Sequence, residues 1–257
     1  MENLSLSVIM PALNEEKNIV VAITNTIKAF EDFNIKGEII VINDGSMDNT
    51  EDLVNNIIQK DVRVRMVKHE APKGIGASFW DGVDNTNNEI VTMIPGDNEN
   101  YPWETLRYCE LLNHVDIVIP FVFNKEVRSF CRNGLSWLYR FIINSTFMVN
   151  FNYTNGTVLY RRSILKQIDY RNDGFFFQTD ILIRTVKKGY LFAEVPFWLG
   201  VRKEGRSKAV SFPSLKQVAR GYFRLVKDHY LYKKNVKNIK NLAEDSLTSK
   251  RYSAKIF

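Results

Sequence analysis

Residues 4–16 read LSLSVIMPALNEE, and residues 38–48 read EIIVINDGSMD. In each, a short apolar run rich in β-branched residues ends at a Pro, Asn, Asp or Gly and passes into a stretch that signals a helix start. Asn14-Glu15-Glu16 puts acids in a first turn, and Ser46-Met47-Asp48 offers cap oxygens after Gly45. The alternation continues outward. Strand-like runs at Leu4–Met10, Glu38–Ile42, Val62–Val67, Ile90–Ile94 and Val115–Pro120 are separated by helical patterns beginning near Asn14, Asp48, Gly76 and Pro102. Such alternation predicts an α/β fold, a mostly parallel sheet with helices on both faces. In that architecture a nucleotide sits on loops at the strand C-termini, near the point where strand order reverses.

After Pro120 the rhythm changes. A helical segment from Ser129 to about Met148 mixes Trp137, Tyr139, Phe141 and Phe147 with Arg132 and Arg140, and reads as an insertion. A short strand at Thr157–Tyr160, a helix near Gln178–Lys188 closed by Gly189, and a strand at Tyr190–Val195 ending at Pro196 then return to the sheet. The last predicted helix runs from Ser214 to about Lys234. Its apolar stripe is Leu215, Val218, Tyr222, Leu225, Val226 and His229, opposite Lys216, Arg220, Arg224, Lys227 and Lys234. The expected organisation is one domain over residues 1–208, with an acceptor-side insertion at 128–150, and a basic amphipathic extension over 209–257.

The chain of 257 residues is 45% hydrophobic and 25% charged, which excludes disordered, collagenous and disulfide-scaffold classes. Its two cysteines, Cys109 and Cys131, have no partner at metal-ligand spacing and fit a reducing compartment. The first ten residues lack the features of a signal peptide. The longest uncharged stretch, 141–160, contains nine Asn, Ser, Thr or Gly residues and is too polar to span a membrane. A cytoplasmic location is therefore expected. Net charge is +6, yet residues 1–199 carry −5 and residues 200–257 carry +11. The tail thus suits an anionic partner: a membrane surface, a phosphate-bearing ligand or a nucleic acid. No zinc-finger spacing or RNA-recognition strand accompanies the charge, so nucleic-acid binding stays the minor reading.

Several strand ends carry groups with chemical use. Glu15 and Asp44 suit hydrogen bonds from a base N–H or ribose hydroxyls, against the plainer role of turn and cap residues. Asp97 and Glu99, after the apolar run ending Ile94-Pro95-Gly96, suit Mg²⁺ or Mn²⁺ bridging a diphosphate, against the plainer role of a Gly-Asp-Asn turn. Lys73-Gly74-Ile75-Gly76-Ala77 lacks the order of a phosphate loop, and Phe79 stands where a dinucleotide fingerprint needs its third Gly. A helix N-terminus preceded by a lysine still suits an anion.

Taken in order, VIMPALNEEKN, VINDGSMDNT, KGIGASF, IPGDNE, NGTVLYRR, FQTD, EVPF and RKEGRSK resemble family 2 glycosyltransferases of the GT-A fold. The likeness runs from about Ser7 to Lys208 and is strongest toward dolichol-phosphate mannose synthases and bacterial polyprenyl-phosphate glycosyltransferases. It implies nucleotide-sugar contacts at Pro11, Ala12, Asn14, Glu15, Asp44, Gly45, Ser46, Lys73 and Asp97. The family's Asp-x-Asp metal motif reads Pro95-Gly96-Asp97 here, with Glu99 in the place of a following Gln, so Asp97 and Glu99 become the implied Mg²⁺ or Mn²⁺ ligands. Arg128, Arg132 and Ser136, with Arg202, Ser207 and Lys208, match positions that cradle a lipid phosphate. The acceptor loop, usually Asp-x-x-Ser-Gly, reads Asn152-Tyr153-Thr154-Asn155-Gly156.

The implied reaction is inverting transfer of a sugar from a nucleotide diphosphate to a polyprenyl phosphate, on the cytoplasmic face of a membrane reached through the last helix. Packing of that helix on the domain, with its lysines in water, is the rival expectation. An alternative acceptor is a sugar hydroxyl in cell-surface polysaccharide or lipid-linked glycan synthesis. That chemistry needs a base, for which Asp180 in Phe177-Gln178-Thr179-Asp180 is the candidate, its plainer role being to orient an acceptor residue. An inactive relative, motivated by Pro95, is the third reading.

Overall fold

The computed structural model describes residues 5–124, 126, 130–200, 212–232 and 242–254. The predicted α/β alternation holds. β1 (Leu6–Ala12), β2 (Gly37–Asn43), β3 (Val64–Lys68) and β4 (Ile90–Met93) are linked by α1 (Ile19–Asp32), α2 (Thr50–Ile58) and α3 (Ile75–Asp84). α4 (Pro102–Leu106) and a 3-10 turn at Cys109–Asn113 lead to β5 (Ile117–Val122), followed by α5 (Phe130–Phe147). β6 (Leu159–Arg161), α6 (Arg162–Lys166), α7 (Phe177–Lys188), β7 (Phe192–Phe197), α8 (Phe212–Val226), a π-helical turn at Lys227–Leu231 and α9 (Leu247–Ser253) complete the order.

The seven strands run β3-β2-β1-β4-β6-β5-β7. All neighbours are parallel except β6, which lies antiparallel between β4 and β5. The chain winds outward from β1 to β3 and then returns to β4 on the other side of β1. Strand order therefore reverses between β1 and β4, and the carboxyl ends at such a reversal are where open α/β sheets bind ligands.

Alternate side chains of each buried strand face opposite layers. Ile9, Ile40 and Ile42 join Phe79, Phe147, Phe177, Ile181 and Leu225 under α3, α5, α7 and α8. Val8, Met10, Ile39 and Val41 join Ile19, Ile23 and Phe30 under α1.

Two expectations are corrected, and a choice between two others is decided. α1 begins five residues after Asn14, because Asn14 sits in the left-handed region (φ 58°) and the Glu15 carbonyl caps Asn18 and Ile19 instead. β7 continues through Pro196: it is an edge strand bonded only to β5, so a missing N–H on its outer side costs nothing. For the last predicted helix the structure decides between the two expectations. α8 buries Leu225 and packs Val218, Tyr222 and Val226 on the core, leaving Leu215 exposed, so the rival expectation of a helix docked on the domain describes it. Leu242 and Ala243 are buried in the same layer. Fully buried Asp116 accepts Leu247 N at 2.7 Å and Thr248 N at 3.1 Å, fixing the α9 N-terminus to the start of β5.

Candidate functional site

Ala12, Asn43 and Asp44, and Gly96 and Asp97 stand side by side at the carboxyl ends of β1, β2 and β4. Register pairs Ala12 with Asn43, and Gly96 N donates to Pro11 O at 3.0 Å. Gly96 has no room for a side chain, since a Cβ there would lie 2.7 Å from Ile19. Parallel pairing alone thus gathers the predicted nucleotide and metal residues along the edge where strand order reverses.

The loops after β1 and β2 are fastened to each other. Ser46 Oγ accepts Asn14 N at 3.0 Å, Asn14 Oδ1 accepts Met47 N at 2.9 Å, and Thr50 Oγ1 accepts Glu15 N at 2.9 Å. Glu16 and Asp48 exchange further bonds: Asp48 Oδ2 accepts Glu16 N, and Glu16 Oε2 accepts Asn49 N, each at 3.1 Å. Asn14 and Ser46 therefore shape the cleft wall. Asn43 is fully buried; its Oδ1 accepts Ser46 N at 3.0 Å, and its Nδ2 lacks a hydrogen-bond partner in the structure. A buried donor without a partner costs about 1–3 kcal/mol, and a bound ligand or water at this edge would satisfy it.

Asp44 holds the next loop. It is buried and accepts Lys73 N at 2.8 Å and Gly74 N at 3.0 Å, while Nδ1 of buried His69 lies 2.7 Å from its Oδ1. Gly45 (φ 74°) permits this approach, since a Cβ would stand 2.9 Å from Ala71 and Pro72 backbone atoms. His69 Nε2 meets Asp81 Oδ2 at 2.8 Å, and Lys73 Nζ reaches the same oxygen at 3.2 Å. Sequence reading passed over His69 and Asp81: a lone His after β3 and an acid inside α3 carry no motif. Only the side-by-side placement of β2 and β3, with His69 N bonded to Asn43 O at 2.9 Å, brings them to the site. The expected anion site at the α3 N-terminus is partly closed, because Asp173 O accepts Ala77 N at 3.2 Å.

The His69 brace has a measurable consequence. His69→Ala removes the imidazole that bridges Asp44 and Asp81, so a loss of about 1–3 kcal/mol is expected, together with weaker nucleotide binding through the loosened 73–74 loop. Thermal melts and a nucleotide titration check this; unchanged results in both would show the brace to be incidental.

Asp97 is half-buried, and its Oδ1 accepts Glu99 N at 3.0 Å in a turn where Asn98 is left-handed (φ 56°). Among the described residues no group of three or more His, Cys, Asp or Glu is placed to hold a metal ion. Two carboxylates beside a diphosphate still fit magnesium or manganese, which take one or two carboxylates together with phosphate oxygens and water.

The acceptor-side residues lie elsewhere. Arg132 is exposed and Ser136 half-buried on α5, while Arg128, Arg202, Ser207 and Lys208 lie outside the described residues. Loop 152–156 is held by Glu194, whose oxygens accept Asn152 N at 2.7 Å and Nδ2 at 3.0 Å; burial pushes the Glu194 carboxyl up. Thr179 Oγ1 joins Thr154 Oγ1 at 2.9 Å and Tyr139 Oη at 2.7 Å, tying α7, the loop and α5 together.

Asp180, the candidate base, is engaged in a buried ion network. Its two oxygens accept Arg184 Nε at 2.7 Å and Nη2 at 3.1 Å, and Arg184 Nη2 also donates to Asp228 at 2.8 Å. Burial pushes the Asp180 carboxyl up against the pull of Arg184. A carboxylate with both oxygens occupied by a guanidinium in the protein interior is placed to anchor α7, not to take a proton from an acceptor.

The family model for glycosyl transferase family 2 matches residues 7–169. A polyprenol monophosphomannose synthase from Mycolicibacterium smegmatis is 26% identical over 214 residues, covering 78% of this chain and 79% of the relative. A dodecaprenyl-phosphate galacturonate synthase from Rhizobium johnstonii is 25% identical over 173 residues, 65% of this chain and 51% of the relative, so the match spans about half that protein's length. The crystal structure of glucosyl-3-phosphoglycerate synthase from Mycobacterium tuberculosis with Mn²⁺, uridine diphosphate and glucosyl-3-phosphoglycerate superposes with a TM-score of 0.66 at 21% identity, covering 87% of this chain and 80% of that one. That likeness shows a shared fold.

Proposed function

We propose, from the premise that this chain belongs to glycosyl transferase family 2, that it transfers a sugar from a nucleotide diphosphate to a polyprenyl phosphate. The observation that carries the reading is the convergence of Ala12, Asp44 and Asp97 on one sheet edge where strand order reverses. The acceptor class is supported by two relatives described as polyprenyl-phosphate sugar synthases.

The cleft residues divide the work. Glu15 and Asp44 accept hydrogen bonds from base or ribose, within a wall made rigid by the Asn14–Ser46 and Asp44–Lys73 links. Lys73, whose side chain is 55% exposed, sets a cation near the diphosphate. Asp97 and Glu99 would hold a divalent cation, which when bound supplies charge to balance the leaving diphosphate. The employment of Asp180 in the Arg184 network favours an acceptor that needs no base. A phosphate is already an anion at neutral pH, so positioning and leaving-group stabilisation supply most of the catalysis. Attack from the side opposite the diphosphate inverts the anomeric carbon. Arg132 and Ser136, one turn apart on α5, would steady the lipid phosphate. No helix among the described residues is long and apolar enough to cross a membrane; a lipid-borne acceptor supports a peripheral position, which we place on the cytoplasmic face.

A thermal-shift screen of nucleotide diphosphate sugars, with and without Mn²⁺, tests the donor half. At a hundredfold excess over Kd, a true donor stabilises by about 2.7 kcal/mol, a shift of roughly 5–10 °C for a chain of this size. A screen with no stabilising donor would remove the reading.

A further inference from the structure

α5 is apolar on two opposite sides, and only one of them is covered. Ile143 and Phe147 are buried and Tyr139 packs on the core. At 100° per residue the opposite arc holds Leu135, Trp137, Leu138, Phe141 and Ile142, each between 41% and 57% exposed. Met148, just past the helix, is 76% exposed, and the Trp137 and Phe141 rings stack at 5.6 Å. A helix that is hydrophobic all round belongs in an interior, and a contiguous exposed patch of this kind marks a binding surface.

The charges around the patch indicate what covers it. α5 contains Arg132 and Arg140 and no acid. α8, its neighbour through the Thr146–Tyr222 hydroxyl pair at 2.7 Å, carries Lys216, Arg220 and Arg224 and again no acid. Phe223 on α8 and Leu231 just beyond it are 68% and 71% exposed. A second copy of the same face would set cations against cations, which disfavours self-association. An aromatic and aliphatic centre on one of two adjoining helices that carry cations and no acid is the pattern of a surface lying in the headgroup region of an anionic bilayer.

We propose that the outward face of α5 docks the protein onto an anionic lipid surface. The sequence leaves the last helix either that role or packing on the domain, and the structure turns its apolar stripe inward. The inference deepens the proposed lipid acceptor, on which it rests for its purpose: Tyr139, on the packed side of α5, reaches Thr179 and through it Thr154 of the acceptor loop. A protein seated by this face would hold loop 152–156 near the membrane.

The test is co-sedimentation of the full chain with phosphatidylcholine vesicles, with and without phosphatidylglycerol, for wild type and for the double variant Trp137→Ser/Phe141→Ser. Wild type is expected to bind the anionic vesicles, and the double variant to bind about tenfold or more weakly. Its melting temperature should stay unchanged, because both side chains are exposed. Equal binding by the two proteins, or no binding by wild type, overturns the proposal. So does light scattering that shows a dimer which the variant abolishes. Vesicle binding needs no sugar donor, so its failure is distinguishable from failure of the transferase reading.

Discussion

Asp97→Ala is expected to lower turnover by about a thousandfold and to leave the melting temperature within a few degrees of wild type. The size follows from what the position does. A divalent ion at a leaving diphosphate is worth several kcal/mol of transition-state charge stabilisation, and Pro95 stands where the resemblance predicts another carboxylate. In the proposed site Asp97 and Glu99 are then the two carboxylates left to recruit the cation. The fold is spared because Asp97 lies half-buried in a turn after β4, where its Oδ1 accepts the Glu99 N–H, and exposed turn substitutions shift stability by about 0.5 kcal/mol. Glu99→Gln keeps the side-chain shape and drops one charge, so a smaller fall is expected, recovered in part by raised Mn²⁺. Donor turnover measured against metal concentration for the three proteins decides it. Full activity in Asp97→Ala would take the residue out of the site.

The sheet, and the edge on which its loop residues gather, were legible because both are written locally. Each buried strand is a short apolar run closed by turn residues, and parallel order puts every closing loop on one edge. Ala12, Asp44 and Asp97 needed nothing more. What stayed hidden depends on contacts between distant segments. Asp116 meets Leu247 and Thr248 across 131 and 132 residues, so the docking of the C-terminal segment left no periodicity to read. His69 entered the site through the pairing of β2 with β3. What an amphipathic helix faces is hidden for the same reason. A helical wheel shows that α8 has an apolar stripe but not what the stripe faces. Asp180 was a candidate base only for a hydroxyl acceptor, against an orienting role, and its bonds to Arg184 and through it to Asp228 favour a structural one. Arg184 stands one turn along the helix and was there to be counted; Asp228 was not.

That network yields the second large effect. Arg184→Met is expected to cost about 3–5 kcal/mol, enough to threaten folding of a domain whose whole margin is about 5–15 kcal/mol. Arg184 is the cation between two carboxylates, with side-chain exposure of 6% against 1% for Asp180 and 6% for Asp228. Methionine fills the space and leaves two acids facing each other out of water. Burial already pushes the Asp180 carboxyl up, and without Arg184 nothing in the trio opposes it. The pH dependence then has a definite sign. A carboxyl whose folded pKa lies above its unfolded value binds its proton more tightly when folded, so its contribution is present at low pH and lost as pH rises. The variant should therefore lose most stability near neutrality and recover part of it toward pH ~4, close to the unfolded Asp value. Asp180→Asn separates structure from catalysis. It removes one negative charge while Arg184 keeps Asp228, so a loss of about 1 kcal/mol is expected, with turnover per folded molecule within a few-fold of wild type. A general base would give the opposite pair of results, an unchanged melt and a collapse of kcat. Calorimetric melts across pH, together with kcat normalised to folded protein, distinguish a strut that joins α7 to the turn after α8 from a proton acceptor.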